Sequence, residues 1–231
     1  MSAKVCVVLG GSGVVGREVC RTLAARGARV GFTFFTNEKN GIDGVGKRLD
    51  VVDVPAVERT LDEFADHFGR IDALIHCAAV GTHQLMGEVD ERAWDSMLAI
   101  NAKSAFFAVR RVTEKMREQD GGNIVLLGSI DGVKPAPSPV HYAASKAAVA
   151  GMVKAMAKEL GPDNIRVNSV APGILEDGLS RGLPDDLRQE YLKHCGLKRL
   201  GKIEEVASLV SWLAVDNTFV TGQTVILDGA L

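Results

Sequence analysis

The chain has 231 residues, 46% of them hydrophobic and 24% charged, with a net charge of −2 at neutral pH. That length and balance suit one α/β domain, taken here as residues 1–231, and the near-neutral charge offers no general field for a polyanion, which argues against nucleic acid as a partner. Apolar runs such as Val5 to Leu9 and Ile124 to Leu127 fall far below the roughly 20 residues of a membrane helix; with no charged-then-apolar leader, the expectation is a cytoplasmic protein that makes no membrane contact.

Short β-branched runs alternate with longer amphipathic stretches, the pattern of repeated β-α units on a parallel sheet. The first strand is expected over Lys4–Leu9 and the first helix over Val14–Arg26. Between them Leu9-Gly10-Gly-Ser-Gly13-Val-Val-Gly16 satisfies two glycine spacings, G-x-G-x-x-G through Gly11, Gly13 and Gly16, and G-x-x-G-x-x-G through Gly10, Gly13 and Gly16. Missing side chains let such a turn approach a pyrophosphate, and the positive end of the following helix faces the anion. No Gly-Lys-Ser/Thr follows, so this is not a nucleoside-triphosphate loop.

A second strand is expected near Val30–Phe34, ending in Phe32-Thr-Phe-Phe-Thr-Asn37. No carboxylate stands there to bind a ribose 2′-hydroxyl, while Thr36, Asn37 and Lys39 can accept a 2′-phosphate, which favours NADP(H) over NAD(H). Only the stretch from Phe35 to Gly46 separates this strand from a third at Lys47–Val51, a tight space for a crossover helix, so a minimal loop or single turn and an open adenosine side are predicted. A helix over Val57–His67, a strand over Ile71–His76, a helix over Ala93–Glu118 and a strand over Gly122–Leu127 follow. The proline-dense Lys134-Pro-Ala-Pro-Ser-Pro139 is expected to set the approach to a helix over Tyr142–Leu160. A strand over Ile165–Val170, helices over Asp185–Lys193 and Ile203–Ala214, and a last strand over Thr224–Leu227 complete a Rossmann-type, doubly wound, seven-stranded parallel sheet flanked by helices.

Tyr142 and Lys146 stand four residues apart on one helix face, and Ser129 lies thirteen residues before the tyrosine. An ammonium beside the phenol would lower its pKa from about 10 and make it a usable acid for carbonyl chemistry. His76, at the end of an apolar strand, reads as a hydrogen-bonded structural histidine, and His83 and His141 as loop residues nearer the mouth of the site. Cys6, Cys20, Cys77 and Cys195 show no C-x-x-C or Cys/His spacing, so reduced, buried thiols and no metal are expected.

Further motifs accompany these: Asp50-Val51 after the third strand, Asn101 within Leu98-Ala-Ile-Asn-Ala102, Gly128-Ser129, Asn168-Ser-Val-Ala-Pro-Gly173, and Val220-Thr-Gly-Gln-Thr-Val-Ile-Leu-Asp-Gly229. On them, nearly the whole chain resembles the short-chain dehydrogenase/reductases, and its later part looks most like their 3-oxoacyl-ACP reductase, or ketoreductase, branch. The resemblance implies that Tyr142 donates the proton, Ser129 hydrogen-bonds the substrate carbonyl, Lys146 tunes the phenol and holds ribose hydroxyls, and Asn101 positions a relay water. It places the cofactor against Gly10, Ser12, Gly13, Val15 and Gly16 at the turn, and against Thr36, Asp50 and Val51 on the adenosine side. Ala78, Ala79 and Val80 would run along the ribose and pyrophosphate, and Pro172, Gly173 and Ile174 against the nicotinamide. It also implies a homotetramer or homodimer.

The implied function is NAD(P)H-dependent reduction of a ketone, a 3-oxoacyl or polyketide-like carbonyl, to a secondary alcohol, on a small molecule that can be linked to a carrier protein or CoA. The alternatives are an alcohol dehydrogenase working oxidatively on a small hydroxylated substrate and a non-catalytic NADP(H)-binding regulator; the intact Ser129, Asn101, Tyr142 and Lys146 argue against the regulator. A pantetheine-linked substrate predicts a basic carrier-docking patch, for which Arg110, Arg111 and Lys115 are the candidates, although a solvated helix face is the preferred reading. Against the family pattern, Leu9 replaces a threonine, His76-Cys-Ala-Ala79 replaces Asn-Asn-Ala-Gly, and Asp177 falls near a threonine that commonly helps bind the cofactor; it is expected to point toward substrate or solvent.

Overall fold

A computed structural model describes residues 3–36 and 41–231. Its sheet holds seven parallel strands in the order β3-β2-β1-β4-β5-β6-β7, formed by β1 (Val5–Leu9), β2 (Arg29–Phe34), β3 (Val45–Arg48), β4 (Ala73–His76), β5 (Gly122–Leu127), β6 (Ile165–Pro172) and β7 (Thr224–Leu227). The order reverses between β1 and β4, which opens a crevice at the carboxyl ends of these central strands. Strand side chains alternate between faces, so Val7, Leu74, Ile124 and Leu126 enter one core while Cys6, Val8, Ile75 and Val125 enter the other. The first core is closed by α2 (Val54–Phe68), α4 (Ser104–Glu118) and α5 (Val140–Leu160), the second by α1 (Val14–Ala25) and α7 (Ile203–Val215). Burial on both faces explains why the central strands read as continuous apolar runs rather than alternating ones.

Among the described residues no helix lies between β2 and β3, as the short connection predicts. The third strand is shifted from its expected span: β2 ends at Phe34, opposite Arg48, and beyond that point Leu49 makes one last bond to the Phe34 carbonyl, 2.8 Å, and the chain leaves the sheet. Helix α2 starts three residues earlier than expected because Asp53 caps the Ala56 N–H at 3.0 Å and a proline occupies the first turn. The expected helix over Ala93–Glu118 is two helices, α3 (Glu91–Leu98) and α4, joined through a wider π turn at Ala99–Lys103. Asp90 caps α3 through the Ala93 N–H at 2.7 Å, and the π turn carries Asn101. Pro139 stands at the N-cap of α5, where the proline-dense loop was expected to end, and α6 (Asp185–His194) sends Leu187, Glu190, Tyr191 and His194 to the wall of the crevice. No helix of the described residues is long and apolar enough to cross a membrane.

Candidate active site

The glycine turn is shaped by close backbone approach. Gly10 has φ +76°, and a Cβ there would stand 2.6 Å from the Ala78 backbone nitrogen; a Cβ on Gly16 would collide with the Gly10 carbonyl oxygen. Gly13 is the N-cap of α1 and supplies no side-chain acceptor, so the first N–H groups of the helix face the crevice without a cap. These features fit a dinucleotide's pyrophosphate, which would find free N–H donors and no Cβ in its way.

Gly13, Val15 and Gly16 line a cleft of about 770 Å³ that also receives Ala79 after β4 and Pro172, Gly173 and Ile174 at the end of β6. Ser129, Tyr142 and Lys146 line the same cleft. The structure therefore brings together, on four separate strand ends and one helix, residues up to 161 positions apart in sequence, Gly13 to Ile174. The remaining candidates, Gly10, Ser12, Thr36, Asp50, Val51, Ala78 and Val80, are not part of its lining. Gly10 and Ala78 meet backbone to backbone, Ser12 accepts from Arg17 through its carbonyl at 3.2 Å, and Thr36 is exposed just past the end of β2. Asp50 accepts from the Val52 N–H at 3.1 Å beside Val51. Asn37 and Lys39 fall outside the described residues.

Asn101 does not line the cleft; it is buried, and its amide spans the loop after β4, accepting from the Val80 N–H and donating to the Val80 carbonyl, both at 2.9 Å, and donating to Ser145 Oγ at 3.0 Å. This is the bracing that the missing asparagines of the strand-end motif leave to other groups. His76 is structural as read, 2.8 Å from Ser104 Oγ and pushed down to about 3 by burial, with the nearby Lys146 charge adding to the shift.

The electrostatics at the tyrosine differ from the expectation. Lys146 Nζ stands 5.7 Å from the centre of the Tyr142 ring but donates to the Leu127 carbonyl at 2.8 Å. Burial pushes the Tyr142 phenol up to about 12, the Asp131 carboxylate adds to that, and Ser129 pulls the other way. Lys146 itself is pushed down to about 8 by burial, against the pull of Cys77 and Asp131. The expected lowering of the phenol pKa is absent: the ammonium is directed at a backbone carbonyl, and a carboxylate that the sequence reading did not single out adds to the rise. That carboxylate, Asp131, accepts from Ser129 Oγ at 2.8 Å and lines the cleft. Burial pushes it above the usual carboxylate range, opposed by Ser129, Lys146 and its own N–H.

Two further residues had no place at the site in the sequence reading. Arg48, at the end of β3, donates from Nε to the Phe35 carbonyl at 3.2 Å and so brings a guanidinium to the corner that Thr36 occupies. Cys77 lines the cleft beside Lys146. The signal for Asp131 was a carboxylate two positions past the serine; Arg48 carried none, because only strand order sets β3 beside β2. Asp177 lines the cleft but spends its carboxylate on the Gly178 N–H and on Arg181. Arg110 pairs with Glu58, Arg111 with Asp62 at 2.8 Å and with Glu114, and Lys115 with Glu118 at 3.7 Å, so the basic helix face is neutralised as the solvated reading expects.

Comparison with known proteins agrees with this geometry. The Enoyl-(Acyl carrier protein) reductase family model matches residues 12–231. The 3-oxoacyl-(acyl-carrier-protein) reductase FabG of Thermotoga maritima is 34% identical over 242 residues, covering 100% of this chain and 98% of the relative. The chain belongs to the short-chain dehydrogenase/reductase family. A short-chain dehydrogenase/reductase from Serratia marcescens BCRC 10948 superposes with a TM-score of 0.89 at 30% identity, covering 98% of this chain and 97% of that one. A dehydrogenase/reductase from Sinorhizobium meliloti 1021 gives 0.90 at 30% identity, covering 100% and 95%. As a short-chain dehydrogenase/reductase the protein is an oxidoreductase, and its cleft sits at the strand ends where an open parallel sheet binds ligands.

Proposed function

We propose that this enzyme, working as one unit over residues 1–231, reduces a ketone to a secondary alcohol with NADP(H), on a 3-oxoacyl or polyketide-like substrate. The observation that carries the reading is the convergence of Ser129, Tyr142 and Lys146 with the uncapped glycine turn in one cleft. The glycine turn, with no Cβ at Gly10 or Gly16, would hold the pyrophosphate of a nicotinamide dinucleotide against the α1 N–H groups, and Ala79 and Pro172 to Ile174 would line the way to Tyr142; the bound group would supply a hydride. Hydride addition builds negative charge on the carbonyl oxygen, and Tyr142 meets it by donating the phenolic proton. A phenol held near 12 keeps its proton at neutral pH, which suits the reducing direction. Ser129 holds the same oxygen by a hydrogen bond. Lys146, with its charge retained below about pH 8, offers donors for ribose hydroxyls once it leaves the Leu127 carbonyl. Asn101 acts at one remove, fixing the Val80 backbone beside the cleft.

The preference for NADP(H) rests on the second strand's end, where no carboxylate occupies Phe32 to Thr36 and Arg48 supplies the positive group that a 2′-phosphate needs. The substrate reading follows the likeness to the Thermotoga maritima 3-oxoacyl-(acyl-carrier-protein) reductase, and a cleft of about 770 Å³ accommodates an acyl chain. The test is NADPH oxidation with acetoacetyl-CoA, crotonyl-CoA and simple ketones, run beside NADH. Turnover of the 3-oxo thioester with NADPH supports the reading. Turnover of crotonyl-CoA alone would replace C=O with C=C reduction, and consumption of neither would sink it.

A further inference from the structure

Ser129 has one proton to give. In this structure it gives that proton to Asp131: Ser129 Oγ donates to Asp131 Oδ2 at 2.8 Å and accepts the Asp131 backbone N–H at 3.3 Å. An ionised carboxylate is a better acceptor than a neutral carbonyl, so in that state the serine can only accept from a substrate, not donate to it. A carboxylate at this point also opposes the negative charge that hydride transfer places on the carbonyl oxygen. Both obstacles vanish when the carboxyl carries a proton, because Asp131 then donates to Ser129 Oγ and the serine O–H is released toward the cleft that both residues line.

Accordingly, we propose that Asp131 is a positioning residue that sets the direction of the Ser129 hydrogen bond, with the carboxylic acid form reducing a carbonyl and the carboxylate form restraining that reaction. The inference rests on the ketoreductase reading for its chemistry and on the Ser129–Asp131 geometry for its location. The turn that carries Asp131, Ile130–Gly132, packs against α5 and β6. From α5 the titratable groups facing it are Tyr142 and Lys146, with the Cys77 thiol beyond Lys146; the end of β6 presents Val170, Ala171 and Pro172, none of which titrates. From α6 and the residue after it, Tyr191 and Cys195 pack on the neighbouring Ile130, and Lys134 is spent on Asp228 at 2.5 Å. Burial raises Asp131 above the usual carboxylate range, against the pull of Ser129, Lys146 and its own N–H, so its proton is held to higher pH than an ordinary carboxyl holds it.

The pH profile of kcat/KM for acetoacetyl-CoA reduction by NADPH, from about pH 5 to about pH 9, separates this role from a structural one. Wild type is expected to lose roughly a hundredfold to a thousandfold across a limb below the Lys146 limb, the range that one oxyanion hydrogen bond controls. Asp131→Asn, whose amide donates to Ser129 at every pH, should compress that limb to under about threefold whatever its absolute rate. An Asp131→Asn profile that keeps the wild-type limb overturns the proposal. Carbon-13 titration of aspartate-labelled wild type, with the Asp131 carboxyl identified by its loss in the variant, should show a midpoint above the ordinary carboxylate value; a midpoint at or below it overturns the proposal as well. That measurement needs neither substrate nor cofactor. A wild type that reduces no carbonyl at any pH would sink the ketoreductase reading separately, leaving the titration to decide Asp131.

Discussion

Under the proposed ketoreductase reading, Tyr142 is the residue on which reduction turns. Replacing it with Phe removes only the hydroxyl, so kcat should fall by at least about a hundredfold while dinucleotide affinity, measured by fluorescence quenching, stays within a few-fold. Lys146 makes a second prediction with a definite sign. Its pKa is pushed down to about 8, so it is charged below that pH and neutral above it, and the affinity for NADPH should weaken as pH rises past about 8. A dissociation constant flat through that range would remove Lys146 from the binding site. The pair was legible as residue types and spacing, since i and i+4 share a helix face. Its electrostatics were not: the spacing cannot show that Nζ turns to the Leu127 carbonyl, or that Asp131 faces the phenol, because both depend on the end of β5 lying beside α5.

Among the elements, the glycine turn and the start of β4 carry the most specific demands. Gly16→Ala would drive a Cβ into the Gly10 carbonyl oxygen, and nothing at that backbone contact can swing aside. Loss of about 2–4 kcal/mol in denaturant unfolding is expected, with weaker dinucleotide binding, as for overpacking against a rigid neighbour. Asp72, just ahead of β4, is held by Arg70 at 2.6 Å, the Val5 N–H at 2.8 Å and Lys4 at 3.3 Å. Burial pushes its carboxyl up, but these partners outweigh it and hold it below the usual carboxylate range. A lowered native pKa means that its stabilisation is present above the unfolded value and lost as pH falls through the native one. Asp72→Asn should therefore cost about 1–3 kcal/mol at neutral pH, a gap that closes on acidification; a gap that widens instead would contradict the assignment. Strand and helix types were legible from period and composition. The π turn at Ala99–Lys103 was not, since apolar spacing runs through it almost unbroken and its cause is the tertiary grip of Asn101 on Val80.

For the whole molecule, a ligand that binds only the folded state adds stability by mass action. At a concentration a hundredfold above its dissociation constant NADPH should contribute about 2.7 kcal/mol, which for a chain of this length raises Tm by roughly 5–10 °C. NADH at the same concentration should shift Tm by roughly 1 °C if the 2′-phosphate corner favours NADPH about a hundredfold; equal shifts would refute the cofactor preference. The sequence by itself determined the alternation of strands and helices, the doubly wound class, the place of the phosphate turn and the Ser129–Tyr142–Lys146 set, because each is written in local spacing or in a short ordered motif. Only the tertiary structure decided that Arg48 reaches the end of β2, that Asn101 braces a loop from outside the cleft, and that Asp131 holds the Ser129 proton. Those facts depend on which strand ends become neighbours and on how deeply each charge is buried, and neither strand order nor dielectric surroundings is a property of any short stretch of chain.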